Sequence, residues 1–291
     1  MKIYYDADVY LVAKPHIDNG GVGRFLIDEG MGIACGLGQE TKDGDLVPEI
    51  AGRVCYMSFM NPRPGGNEAY IKHIKEVAHG SVLEHPSWSF IITGISRSLT
   101  HEFVRHRHMS YSQLSQRYVD ESDVGFVVPH ELREEVKRAW PLWEETGNSG
   151  YVDTYGKDPH MTTGLDWITT VNNAREQYIQ IVDYFMKKFM SDLTKGRIKA
   201  GTEMRKAARG TARSVLPNCT ETKIFVTANA RAWRHFIEMR GSKHAEVEIR
   251  KLAHKVWEVL AKEAINVFGD YVWEMSADGL PLDVATPYRK V

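Results

Sequence analysis

The stretch RHRHMSYSQLSQR, residues 105–117, holds three arginines, two histidines and three serines in thirteen positions and has no acid. Just upstream, Leu99, Phe103 and Val104 form an apolar stripe at helical spacing, and Ser96 or Ser98 can serve as N-cap. The stretch itself lacks that spacing. The chain therefore passes here from a helix into a hydroxyl-rich loop, with Arg105, His106 and Arg107 at the junction. Three consecutive potential cations on a helix would splay over most of its circumference and would need solvent or several anionic partners. A solvated basic surface is the ordinary reading of such a triplet. The serines, the backbone amides and the fork of Arg117 that follow suit a phosphate better.

Working outward, Trp88, Phe90 and Ile92 alternate as a strand, and so do Thr222, Ile224 and Val226; Val9 to Ala13 reads as a third, short one. Residues 49–58 and 67–78 carry helical patterns, broken at Gly80 and Ser81. Trp167, Val171, Ala174, Tyr178, Ile181, Val182, Phe185 and Phe189 predict a long helix packed on a core. Asn229 caps a helix running through Trp233, Phe236 and Ile237 to Arg240, with Gly241 as its stop, and Ser242 is expected to cap a last long helix. Residues 19–47 are glycine-rich and read as a flexible loop, since no GK[ST] follows their glycines. Residues 129–166 read as loops or an insertion. Helices and a few strands without regular βαβ alternation predict an α+β fold, a single mixed domain over residues 1–291 with an antiparallel or mixed sheet flanked by long helices.

Lysine and arginine number 37 against 38 for aspartate and glutamate. That balance speaks against nucleic acid as the partner, because a polyanion binder carries a basic excess. No apolar run approaches a membrane span, and the acids near the start do not fit a signal peptide, so a cytoplasmic protein is expected. Cys35, Cys55 and Cys219 are far apart and suggest neither a disulfide framework nor a cysteine zinc site. His79 and His85, and His101, His106 and His108, lie close in sequence, but no HExxH appears and no metal is expected.

Two further segments concentrate positive charge. Arg205, Arg209 and Arg213 are four apart and would stack on one helix face, with only Glu203 and Glu221 as nearby acids. Arg231, Arg234, His235 and Arg240 share a helix with Trp233 and Phe236. Such a helix either lines a site for a stacked heterocycle or is amphipathic with snorkelling arginines. Cys219, after a helix-ending proline and near arginines, is a conceivable nucleophile, but nothing paired to it identifies a base, and a half-buried turn residue is the preferred reading.

The 105–117 stretch resembles the signature of the flavin-dependent thymidylate synthases of the ThyX type: arginine-histidine-arginine, then serine, asparagine, serine and arginine at fixed offsets. Arg105, His106, Arg107, Ser110, Ser115 and Arg117 match, and Ser112 stands where the common pattern has asparagine. HGSVLEHPSWSF (79–90), RSVLPN (213–218) and NARAWRHFIEMRGSKHAEVEIR (229–250) resemble further blocks of that family. The likeness covers about residues 49–120 and 203–260; segments 14–48 and 125–168 look like additions.

The resemblance implies reductive methylation of dUMP to dTMP. Its 5,10-methylenetetrahydrofolate would give the carbon, and NADPH-reduced FAD the hydride, with no enzyme cysteine nucleophile. It implies a homotetramer whose sites are shared between subunits. By resemblance Ser81, Arg105, His106, Arg107, Gln113, Asn229, Arg231 and His235 would hold FAD, and His79 would lie near flavin and folate. Glu102, Phe103, Val104, Arg105, Gln113, Leu114, Ser115, Gln116, Arg117, Arg213 and Arg240 would hold dUMP. Arg240 is the expected catalytic group, stabilising negative charge on the uracil ring. Three rivals predict other behaviour: a nucleic-acid module, a flavoprotein of another reaction, and a classical synthase that depends on Cys219.

Overall fold

The computed structural model describes residues 1–31, 41–146, 158–194 and 201–289. In chain order its elements are β1 (Lys2–Tyr4), β2 (Asp8–Ala13), α1 (Asn19–Asp28), α2 (Asp43–Tyr56), α3 (Gly66–Glu76), β3 (Ser87–Ser96), α4 (Arg97–Phe103), β4 (Ser110–Gln113) and β5 (Gly125–Val127). Then come α5 (Arg133–Thr146), α6 (Pro159–Thr194), α7 (Thr202–Ala212), β6 (Glu221–Asn229), α8 (Ala230–Arg240), α9 (Val247–Glu263), α10 (Ile265–Phe268), β7 (Val272–Met275) and β8 (Pro281–Ala285). Short 3₁₀ segments occupy Gly80–Glu84, His130–Leu132 and Arg213–Val215. The class is α+β, as the sequence pattern indicated. A four-stranded sheet runs β2-β3-β6-β4, β1 pairs parallel with β5, and β7 pairs antiparallel with β8.

The chain divides into two compact units. One comprises Met1–Asp8, Thr93–His101 and Gln113–Ile224. Its core is a cluster of Val128, Val136, Ala139, Leu165 and Ile168, with Trp140, Trp143 and Trp167 packed against it. These residues explain why α5 forms where a loop was expected. Val136 and Ala139 are wholly buried, and Trp140 stacks on Trp143 at 5.3 Å. Burying each large apolar side chain contributes roughly 1.5–3 kcal/mol, so several together offset the roughly 3 kcal/mol or more that Pro141 costs inside the helix. Within β3, Gly94 has a φ of 66°, and a Cβ there would stand 2.7 Å from the Asp6 carbonyl oxygen. Only glycine fits that bend. Along α6 the apolar stripe is buried at Leu165, Ile168, Val171 and Tyr178, but Tyr184 and Met190 are exposed and Ile181, Val182, Phe185 and Phe189 are only half-buried. The far end of that helix therefore lies outside the core on which the sequence pattern placed it.

The other unit comprises Val9–Ile92, Glu102–Ser112 and Phe225–Val291. Its centre is aromatic: Phe90 meets Trp233 edge-on at 5.2 Å, Trp88 meets Phe268 at 5.5 Å, and Phe103 packs on Phe236 at 4.8 Å. Polar anchors are buried among these elements. Arg53 forms an ion pair with Glu49 one turn away, Glu49 also accepts from Asn67, and Arg234 binds Asp270. The glycine-rich segment holds α1: the Asp18 side chain accepts from the Gly20 amide at 2.9 Å, and Val22, Phe25 and Leu26 pack on Phe59. Residues 32–40 lie outside the described residues. Ser242 does not cap the last long helix; it stabilises a turn, and α9 begins five residues later.

Candidate functional site

Helix α4 starts at a cap and ends at a plug. Its first turn is fixed by Ser96, whose hydroxyl accepts from the Leu99 amide at 2.9 Å. Its last residue, Phe103, is fully buried. Beyond it the Tyr111 hydroxyl donates to the carbonyls of Phe103, at 2.7 Å, and His106, at 3.1 Å. Those carbonyls are thus withdrawn from further helix, and the Arg105, His106 and Met109 amides close successive three-residue turns instead. The turn sends Arg105 and Arg107 outward and His106 inward.

That inward histidine changes the reading of the triplet. His106 is 7% exposed, and its ring lies edge-on to Phe236 and His235 at 5.3 and 5.5 Å. Burial, with Arg240 and His235 nearby, lowers its pKa to about 4, so it is neutral at physiological pH. The three consecutive residues are two exposed cations and one buried neutral ring.

Arg240, the last residue of α8, is held at three points. Its Nε donates to His106 Nε2 at 3.0 Å, Nη1 forms an ion pair with the Glu102 carboxylate, and Nη2 donates to the Glu102 carbonyl at 3.3 Å. A guanidinium has five N–H groups, so three bonds leave two for another partner. The side chain is 17% exposed. It is a largely desolvated cation with donor capacity in reserve.

The other expected contacts in this unit are mostly open to solvent. His79, Ser81 and His235 are exposed. Arg231 forms an ion pair with Glu84 at 2.6 Å, both side chains about half exposed. The Asn229 side-chain oxygen caps α8 by accepting from the Ala232 amide at 2.9 Å. Val104 is 40% exposed, whereas Phe103 offers a ligand only its backbone. Arg234 departs from the cationic face on which it was read: it is fully buried and bound to Asp270.

In the other unit the segment expected to be a loop begins as the end of β4. Gln113 Nε2 donates to the hydroxyls of Thr100, at 3.0 Å, and Thr222, at 3.4 Å. The Leu114 amide bonds the Lys223 carbonyl at 2.9 Å, and Arg97 Nη2 donates to the Leu114 carbonyl at 2.8 Å. Ser115 then opens a turn: its hydroxyl accepts from the Arg117 amide and its carbonyl from the Tyr118 and Val119 amides. Gln116 is half-buried, and Arg117 and Arg213 are exposed. Arg209, expected to stack with Arg205 and Arg213 with only Glu203 and Glu221 as nearby acids, is tied to Asp120 at 2.9 Å and to the Tyr118 carbonyl at 2.6 Å. Glu121 is 3% exposed, and burial raises its pKa to about 7 despite Arg97. Arg97, Asp120, Glu121 and Tyr111 carry no motif. The one signal available for Arg97 is a cation in the first turn of a helix, where the dipole disfavours it.

Cys219 is half-buried and packs against the cluster of Val124, Phe126 and Val171, and its carbonyl accepts from the Val127 amide at 2.8 Å. Cys55 is exposed, and Cys35 lies outside the described residues. Among the described residues no group of three or more histidines, cysteines or carboxylates could hold a metal ion, and no helix is long and apolar enough to cross a membrane.

Residues 36–264 match the family model described as thymidylate synthase complementing protein, and that match runs through residues 125–168. The chain is 43% identical over 244 residues to a flavin-dependent thymidylate synthase of Mycobacteroides abscessus, covering 83% of this chain and 85% of that one. It is 45% identical over 245 residues to the proteins of the same name from Mycobacterium avium and Mycobacterium tuberculosis, with 84% of this chain and 85% of each relative covered.

Proposed function

Since the chain belongs to the flavin-dependent thymidylate synthase family and is an enzyme, we propose that it converts dUMP to dTMP with 5,10-methylenetetrahydrofolate as carbon donor, NADPH as reductant and FAD as bound cofactor. The observation that carries this reading is Arg240, a desolvated cation fixed by Glu102 and His106 with two N–H groups left over. A uracil ring must become electron-rich at C5 to take up a one-carbon unit. Charge then develops toward N3 and the adjacent carbonyl oxygen. A preorganised guanidinium stabilises that charge far better in a desolvated site than in water.

The residues present fit a flavin dinucleotide. Arg105, Arg107 and Arg231 are exposed cations, Arg231 being paired with Glu84, and Ser81, Asn229 and His235 add polar side chains. They would hold its pyrophosphate and ring system together with Gln113, and His79 would lie near flavin and folate. Bound flavin supplies the hydride that completes the methyl group. For dUMP the proposed contacts are Glu102, the Phe103–Arg105 backbone, the Gln113–Arg117 segment, Arg213 and Arg240. The Ser115 turn and the guanidinium groups of Arg117 and Arg213 suit the phosphate. The Ser115 hydroxyl accepts from the Arg117 amide, which supports a binding role for it rather than nucleophilic attack. The whole chain acts as one catalytic domain, in a cytoplasmic homotetramer whose sites are completed by neighbouring copies.

The packing of Cys219 on Val124, Phe126 and Val171 supports a structural role for it. Cys219→Ala is expected to keep turnover within about threefold of the parent, since it trims one small packed side chain. Steady-state dTMP formation with NADPH present checks this. Loss of all turnover in a folded, flavin-loaded Cys219→Ala protein would point to the cysteine-dependent reaction. The reading as a whole is tested by chromatographic identification of the flavin released from purified protein and by the dependence of dTMP formation on each co-substrate. Formation of dTMP without NADPH or flavin would overturn it.

A further inference from the structure

We infer that His106 is a positioning residue for Arg240: its Nε2 accepts the Arg240 Nε–H and fixes the plane of the guanidinium. This rests on the reading of Arg240 as the group that meets the uracil ring.

Arginine Nε always carries its proton, so the 3.0 Å contact with His106 Nε2 requires the imidazole lone pair at that nitrogen and the proton on Nδ1. Glu102 alone holds Arg240 only at its outer nitrogens, about which the plane can tip. The bond at Nε is the third point that fixes it. The chemistry of the third anchor also matters. A second carboxylate would cancel the charge that the uracil needs, whereas a neutral imidazole orients the guanidinium and leaves the charge in place. His106 is suited to that task. Phe103, Phe236 and His235 enclose its ring, and burial keeps it neutral. The alternation in the triplet then has a physical reason: Arg105 and Arg107 face outward toward ligand, and His106 works from behind.

The test compares His106→Gln, whose carbonyl oxygen reaches about as far as Nε2, with His106→Asn, which is polar but too short, and with His106→Phe, which fills the ring site without an acceptor. Measured for each are kcat and KM for dUMP, flavin content and melting temperature, with the same substitutions repeated in an Arg240→Ala background. His106→Asn and His106→Phe are expected to lower kcat about 10²-fold with little change in flavin content. His106→Gln is expected to recover at least about tenfold of that loss, and in the Arg240→Ala background all three are expected to change kcat by less than about threefold. The inference is overturned if Asn or Phe leaves kcat within about twofold of the parent, if Gln is no better than Asn, if the loss follows flavin content, or if the effects add to that of Arg240→Ala. A parent enzyme that does not turn over dUMP removes both readings; a working parent with any of those results removes this one alone.

Discussion

Arg240→Ala is expected to lower kcat for dTMP formation by about 10²–10³-fold, the cost of removing one preorganised donor aimed at developing charge. The Arg240 side chain is 17% exposed, and its two uncommitted N–H groups are held in direction by Glu102 and His106. Alanine removes the cation and leaves the Glu102 carboxylate without its partner. Glu102 would then add repulsion where negative charge must form. Arg240→Lys separates charge from geometry: an ammonium keeps the charge but cannot reproduce the fork, and is expected to recover little of the loss. Steady-state kinetics at saturating dUMP, with flavin content as a control, check both variants. A folded, flavin-loaded Arg240→Ala enzyme within about threefold of the parent kcat would remove Arg240 from the chemistry.

The second large effect concerns stability. Arg234 is fully buried and binds Asp270 with both terminal nitrogens, at 2.7 and 2.9 Å, while Lys75, 5% exposed, donates to the same carboxylate at 2.8 Å. Asp270→Ala strands two buried cations. Removing one partner of a buried ion pair costs about 3–5 kcal/mol, and denaturant unfolding of the two proteins at neutral pH measures it. A change below about 1 kcal/mol would show that water replaces the carboxylate. The pair also sets an acid limit. The hydrogen bond and charge of Arg234, aided by Lys75, hold Asp270 at about 2, below its ordinary 3.8, although burial alone would raise it. A depressed carboxylate stabilises the fold above the unfolded-state value and loses that contribution as pH falls from 3.8 toward 2. Lys75 is pulled below the ordinary lysine range by burial, in spite of Asp270.

What the sequence disclosed was whatever is local. The alternation of Trp88, Phe90 and Ile92 marked β3, the pair Ser96 and Ser98 marked the start of α4, where Ser96 proves to be the cap, and Asn229 with Gly241 marked both ends of α8. Each of these signals acts within one turn or one strand. What stayed hidden depends on partners far along the chain. Helix α1 is masked by Gly20, Gly21 and Gly23, and its stability comes from packing on Phe59. Helix α5 is masked by Pro141 and held by Leu165 and Ile168 of α6. The hairpin of β7 and β8 carries too little alternation to be read. At the candidate site the residue types were legible, but their orientations were not. Nothing in RHR says that its middle residue turns inward; the Tyr111 hydroxyl, which stops the helix, decides that. Arg209 likewise looked like part of an open cationic face because its acid, Asp120, lies 89 residues away.

The measurement closest to the central claim is tritium release from dUMP labelled at C5, with FAD and 5,10-methylenetetrahydrofolate present, with and without NADPH. Release that requires NADPH and is lost in Arg240→Ala is the expected result, because C5 can exchange its hydrogen for the carbon unit only in a ring that Arg240 has helped to polarise. Release from flavin-stripped protein without NADPH, abolished by Cys219→Ala and unaffected by Arg240→Ala, would contradict it and return the chemistry to the cysteine.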